Sequence, residues 1–246
     1  MRPSATTVSA LAAALAACGQ STEAPTVMLP VASAGGPLAV ATTDLGYEVT
    51  TTRLRVAIAD LELTIAGEQH AVAAGFYHPG HNAGGDVTGA MPGNVLVDWD
   101  GGAGRALGVA TLIVGAYQGA NFRFRAADAG DGLATDDPLL GHTFHVTGVA
   151  RRDGVDHPFD ALLDIAAGTT LVGAVFELAV TEASAETLHL AARPVDSTAG
   201  GTIYDGLDFA ALATTPAGLV EIRPGSTEHN VFRRPIQTHD HYVLHP

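Results

Sequence analysis

The chain has 246 residues, of which 47% are hydrophobic and only 15% charged, so it carries ample apolar surface for a packed core and is not of the disordered class. It contains no lysine, and twelve arginines face 26 acidic residues for a formal net charge of -14. That balance disfavours nucleic acid and anionic headgroups as partners, because binding to either depends on clustered basic side chains that displace counterions.

At the amino end Arg2 precedes a small apolar run from Val8 to Ala17. The run has the length of a secretory signal core and falls short of the ~20 residues that a helix needs to cross a bilayer. Leu15, Ala16, Ala17 and Cys18 resemble the lipobox of bacterial lipoproteins. The resemblance implies removal of residues 1–17 as a signal peptide and a diacylglycerol on the Cys18 thiol. No aspartate follows Cys18, only Gly19 and Gln20, which in the families it resembles favours an outer-membrane anchor facing the periplasm or the cell surface. Cys18 is the only cysteine, so an exported domain has no internal disulfide, and an acylated thiol serves neither as nucleophile nor as metal ligand. Residues 18–43, rich in Ser, Thr, Ala, Pro and Gly, are expected to form a flexible tether whose end can enter a first strand, leaving 44–246 as a single domain.

From Tyr47 to Ile65 apolar and polar residues alternate, with Leu54, Val56 and Ile58 in one phase and Leu61, Leu63 and Ile65 in the other. A change of phase near Ala59 predicts a bulge or bend in a long strand or strand pair. Similar runs follow at Asn94 to Trp99, Ala106 to Val114, Ala120 to Arg125, Thr143 to Val149, Thr170 to Thr181 and Leu188 to Ala192, separated by glycine-bearing loops. Helical patterns are confined to Pro158 to Ile165 and Leu207 to Ala213. The expectation is an all-β fold, an antiparallel β-sandwich of immunoglobulin-, prealbumin- or jelly-roll-like type with one or two short helices.

The stretch VDWDGGAGRALGVATLIVGAYQGANFRFR, Val97 to Arg125, resembles exported β-sandwich lipoproteins in which a strand ends in Asp and a glycine- and tyrosine-bearing segment leads into the next strand. RLRVAIADLEL, Arg53 to Leu63, is similar to the first strand of the methanobactin-associated periplasmic copper-binding proteins. The resemblance implies a sandwich and is compatible with copper. It carries over no ligand.

Eleven histidines are the compositional oddity. In His78-Pro79-Gly80-His81, Pro and Gly fit the central positions of a type II turn, which brings the flanking Cα atoms within ~7 Å and lets two imidazoles reach one ion. The alternative is a solvated turn. The segment THDHYVLHP places His239, His241 and His245 at even steps, so an extended strand would carry all three on one face with Tyr242 and Leu244 on the other. His78, His81, His239 and His241 are therefore the candidate metal ligands, provided that the turn and the final strand meet. Imidazole donors suit Cu(II) best among divalent ions, with zinc as the alternative. Met91 is a possible soft axial ligand but fits simple packing better.

Other features weigh less. His142 and His145 differ by three and face opposite ways on a strand; His70, His157, His189 and His229 are isolated, His229 keeping a supporting role open. Asp128, Asp131, Asp136 and Asp137 form an acidic loop without the spacing of a calcium-binding EF-hand. No nucleophile elbow, zinc-protease helix or phosphate-binding loop is present, and without lysine there is no Schiff-base chemistry. A non-enzymatic role follows, either a membrane-anchored lipoprotein that binds copper for storage, delivery or sensing, or an adhesion sandwich that meets a glycan or protein through Tyr77 and Trp99. A zinc-dependent hydrolase is a third possibility, needing a general-base carboxylate beside the histidines.

Overall fold

The computed structural model describes residues 24–65 and 87–246. The strands are β1 (Thr26–Ser33), β2 (Ala41–Thr42), β3 (Glu48–Ile65), β4 (Val87–Trp99), β5 (Ala106–Ile113), β6 (Gly115–Phe124), β7 (Phe144–Arg152), β8 (Val155–Leu163), β9 (Thr170–Val180), β10 (Leu188–Ala192), β11 (Val220–Ile222) and β12 (Tyr242–His245). One α-helix, α1 (Thr227–Ile236), and two 3₁₀ turns at Ala129–Asp131 and His239–His241 complete the described elements.

The long strand β3 organises the fold because it changes partner halfway. Its first half, to Val56, pairs with β7, its second half, from Ile58, pairs with β6, and its other edge runs along β4. The predicted change of phase is there: the register shifts between Ala59 and Leu61, and Asp60 adopts φ 51°. A left-handed non-glycine residue needs local support. Asp60 Oδ1 provides it by accepting the Gly93 N–H at 2.9 Å.

Pairings run β3–β4–β5–β1–β10–β12–β9–β6 and return to β3, so eight strands close on one another while β7, β8 and β11 extend outward from the first half of β3. The all-β expectation stands, but the expected antiparallel sandwich is replaced by one mixed sheet: β1–β10, β12–β9 and β11–β8 are parallel pairs. Closure leaves few raw strand edges, which favours it for a chain with this many strands.

Three further expectations are corrected. Residues 26–33, assigned to the tether, form β1, with Leu29 and Val31 wholly buried between β5 and β10. Pro158 to Ile165 is not helical; most of it lies in β8, whose edge faces β7. Leu207 to Ala213 forms turns, and the helix falls instead at Thr227–Ile236, with Phe232 and Ile236 on its buried side.

The inward faces meet in a core with Phe122, Phe124, Phe144, Phe176, Tyr117 and Tyr242 at its centre. Phe122 packs edge-on against both Phe124 and Tyr242 at 5.4 Å, the geometry ring quadrupoles prefer. On the outside of β3 and β4, the segment after β6 lays Ala127 and Leu139 over Ala57, forming a second small apolar cluster.

Candidate functional site

The histidine-rich segment begins where α1 ends. Thr238 donates from both its backbone N–H and its hydroxyl to the Pro235 carbonyl, at 2.9 and 2.8 Å, which turns the chain out of the helix. His239–His241 forms a 3₁₀ turn, and extended backbone resumes only at Tyr242. The Tyr242 hydroxyl anchors that junction by donating to the Ile236 carbonyl at 2.7 Å in the core. The expectation of a strand running through all three histidines is therefore corrected: with about three residues per turn, neighbours two apart point away from each other, and His239 and His241 share no strand face with His245.

His241 is 5% exposed, and its Nδ1 lies 2.9 Å from the Arg193 carbonyl. A carbonyl only accepts, so Nδ1 carries the proton. Burial holds the ring below the ordinary histidine value of 6.5 and keeps it neutral. His239 Nε2 lies 3.4 Å from its neighbour Asp240. The other half of the expected cluster, His78 and His81, lies outside the described residues, as do Cys18 and Tyr77. Among the described residues, no group of three or more His, Cys, Asp or Glu side chains is arranged to hold a metal ion.

What the final strand does present is His245. Register places it directly opposite His189 on β10, with ring centroids 5.7 Å apart and planes inclined by 30°. Leu188, Leu190, Tyr242 and Leu244 point into the core, so alternation turns His189 and His245 outward. By sequence alone His189 is an isolated histidine. The signal available there was its place between two buried leucines in LHLAA.

The remaining described histidines are held in polar structure. His142 Nδ1 lies 2.7 Å from Asp164 Oδ1, while the Asp164 backbone N–H donates to His229 Nε2 at 3.0 Å. Burial keeps His229 below its ordinary value. His145 sits in a row of charges across β3, β7, β8 and β11: Asp137, Arg55, His145, Asp160 and Arg223 follow one another at 2.6–2.9 Å. In the row the His145 ring lies between the Arg55 guanidinium and the Asp160 carboxylate, and the row ends at the exposed Glu221, which Arg223 also bonds.

The acidic loop is likewise occupied by protein partners. Asp131 accepts from Arg125 and from the Asp128 N–H, and Asp137 accepts from Arg55 and the Leu139 N–H. Met91 is 4% exposed and packs against Gly108. Trp99 is 2% exposed and donates from Nε1 to the Leu190 carbonyl at 3.1 Å, so it is a core residue, not a glycan platform. Comparison of the chain with family models, with curated proteins and with solved structures returns no match.

Proposed function

We propose that the chain is an exported lipoprotein, anchored through Cys18, whose β domain binds a late transition-metal ion through imidazoles, copper favoured and zinc the alternative. Its role is to store, deliver or sense the metal, not to catalyse a reaction. The observation that supports this reading is the connection between β3 and β4. Their register runs to Thr64 opposite Val87, where a hairpin needs about two to five linking residues. The chain instead passes from the end of β3 at Ile65 to Val87 through residues 66–86, which carry His70, His78 and His81. Most connections between neighbouring elements in compact domains are about four to six residues, so a segment of this length is additional to what joining the two strands requires. Because β1 already begins at Thr26, a lipid on Cys18 holds the domain within about 28 Å of the bilayer even when the link is fully extended.

The adhesion reading is weaker, because one of its two contact aromatics, Trp99, is packed in the core. The test is metal analysis of the untagged chain after dialysis against copper, beside a His78→Ala/His81→Ala variant. Copper retained by the parent and reduced in the variant supports the reading. Equal copper in both preparations, or none in either, overturns it.

A further inference from the structure

We propose that His189 and His245 form a metal site of their own, a two-imidazole site for Cu(II) on the outer face of the sheet. The site uses neither His78 nor His81 and stands or falls apart from the function proposed above.

The donors are already paired. Directly opposite residues of an antiparallel pair have Cβ atoms about 4.5–5.5 Å apart, and the ring centroids of His189 and His245 are 5.7 Å apart. With metal–nitrogen bonds of about 2.0–2.1 Å, two imidazoles on one ion have centroids roughly 4.5–6.4 Å apart as the angle at the metal opens from a right angle to a straight line. The observed spacing falls inside that range. Sharing one ion requires the two rings to turn about their side-chain torsions while the β10–β12 pairing keeps their Cβ atoms opposite.

The proton inventory also fits. His245 Nδ1 lies 3.0 Å from the backbone oxygen of Pro246, which only accepts. Nδ1 therefore carries the proton, and the Nε2 lone pair is free for a metal, the arrangement in which a ligating histidine gives its other N–H to a backbone oxygen. His245 is exposed and His189 half-buried, so an ion reaches both from solvent.

The scaffold is rigid. Each histidine is flanked by wholly or nearly buried residues, Leu188 and Leu190 on one strand and Leu244 on the other, and β10 is held from its far side by β1, where Ala32 stands beside His189. The two donors are imidazole nitrogens, with Glu177 of β9 exposed on the strand next to His245, and for a given set of nitrogen and oxygen donors Cu(II) ranks above Ni(II) and Zn(II). Without a metal, the arrangement sets two imidazoles face to face. A shared ion turns that opposition into a chelate.

The test uses the full, untagged chain carrying His78→Ala and His81→Ala, stripped with chelator and titrated separately with Cu(II), Ni(II) and Zn(II). One Cu(II) equivalent is expected to remain in this background. Adding His189→Ala or His245→Ala should weaken it by roughly tenfold or more, since the loss of even a supporting group costs a metal site 10–100-fold. The copper electron paramagnetic resonance signal of the background protein should show coupling to two ring nitrogens, and Cu(II) should raise its melting temperature but not that of the added variants. Matching circular dichroism without metal establishes that the variants fold. Copper binding unchanged by His189→Ala and His245→Ala, or no copper bound in the His78→Ala/His81→Ala background, overturns the proposal. Retention there, with the loss confined to the His189 and His245 variants, supports it even if the reading built on His78 and His81 fails.

Discussion

Arg55 donates from Nη2 to His145 Nδ1 at 2.6 Å across the β3–β7 pair, where the two residues stand directly opposite each other. A guanidinium only donates, so Nδ1 accepts and the imidazole proton sits on Nε2, 2.9 Å from Asp160. The other arm of Arg55 holds Asp137 at 2.7 Å, and the arginine as a whole is 3% exposed. Arg55→Ala leaves a carboxylate and an imidazole without their partner in a place poor in water, and should cost about 3–5 kcal/mol in denaturant unfolding. Arg151 and Asp156 form a comparable contact at 3.0 Å but are more than half exposed. Arg151→Ala should therefore cost less than about 1 kcal/mol. Equal losses in the two variants would contradict this account of the charge row.

Stability should rise with pH in two separate windows. Burial holds His229 and His241 below the ordinary 6.5, so between that value and their folded values the unfolded chain binds more protons than the folded one. Their contribution is present in full above about pH 6.5 and is lost as pH falls through the depressed folded values. A second loss comes lower. The Arg55 hydrogen bond draws Asp137 below the ordinary carboxylate value, and at Asp160 burial pushes upward but is outweighed by His145 and Arg223. Those carboxylates stabilise above about pH 4 and cease to do so as acid protonates them. Urea midpoints measured from about pH 5 to 8 should climb, and His241→Gln should flatten the slope. A flat parent profile would refute the assignment.

Gly148 on β7 is a position of close approach. A Cβ there would lie 2.5 Å from the Thr50 carbonyl oxygen and 2.8 Å from the Phe159 ring, both belonging to packed neighbouring strands. Gly148→Ala should destabilise by about 1–3 kcal/mol through overpacking. At Gly115 the nearest atom is Ile65 Cγ2 at 3.7 Å, an ordinary contact. Gly115→Ala should be neutral or slightly stabilising, through the reduced freedom of the unfolded chain. Thermal melts of the two variants side by side decide the matter.

Trp99 is the only tryptophan and is packed beside β10. Native fluorescence should be blue-shifted and should move red only with global unfolding. Soluble glycans should leave it unchanged. Trp99→Phe should cost about 1–3 kcal/mol, because the Leu190 carbonyl loses its buried donor. Red-shifted native emission, or a spectral response to glycan, would reverse the placement of this residue.

The sequence was most informative where one strand carries its own pattern. The change of phase at Ala59 is a local signal of period two, and Asp60 is where the register slips. β8 hid because Pro158 reads as a helix start; it is tolerated one residue before β11 begins to pair at Phe159. The even spacing of His239, His241 and His245 is present as written, but α1 ends beside it, and the turn out of the helix consumes the first two residues of the pattern. His189 was invisible for the opposite reason. Its meaning depends on which strand lies next to β10, a matter of long-range pairing that no local period encodes.

The insertion of β12 between β10 and β9 has a consequence for the chain as it is synthesised. Until residues 242–245 arrive, β10 and β9 each keep an unsatisfied edge, and the eight-strand path stays open. An open pair of edges is a template for pairing with another copy. Four residues at the end of the described fold thus stand between a closed path of strands and two open edges, and cleavage within the turn before Tyr242 would open those edges and withdraw Tyr242 and Leu244 from the core together.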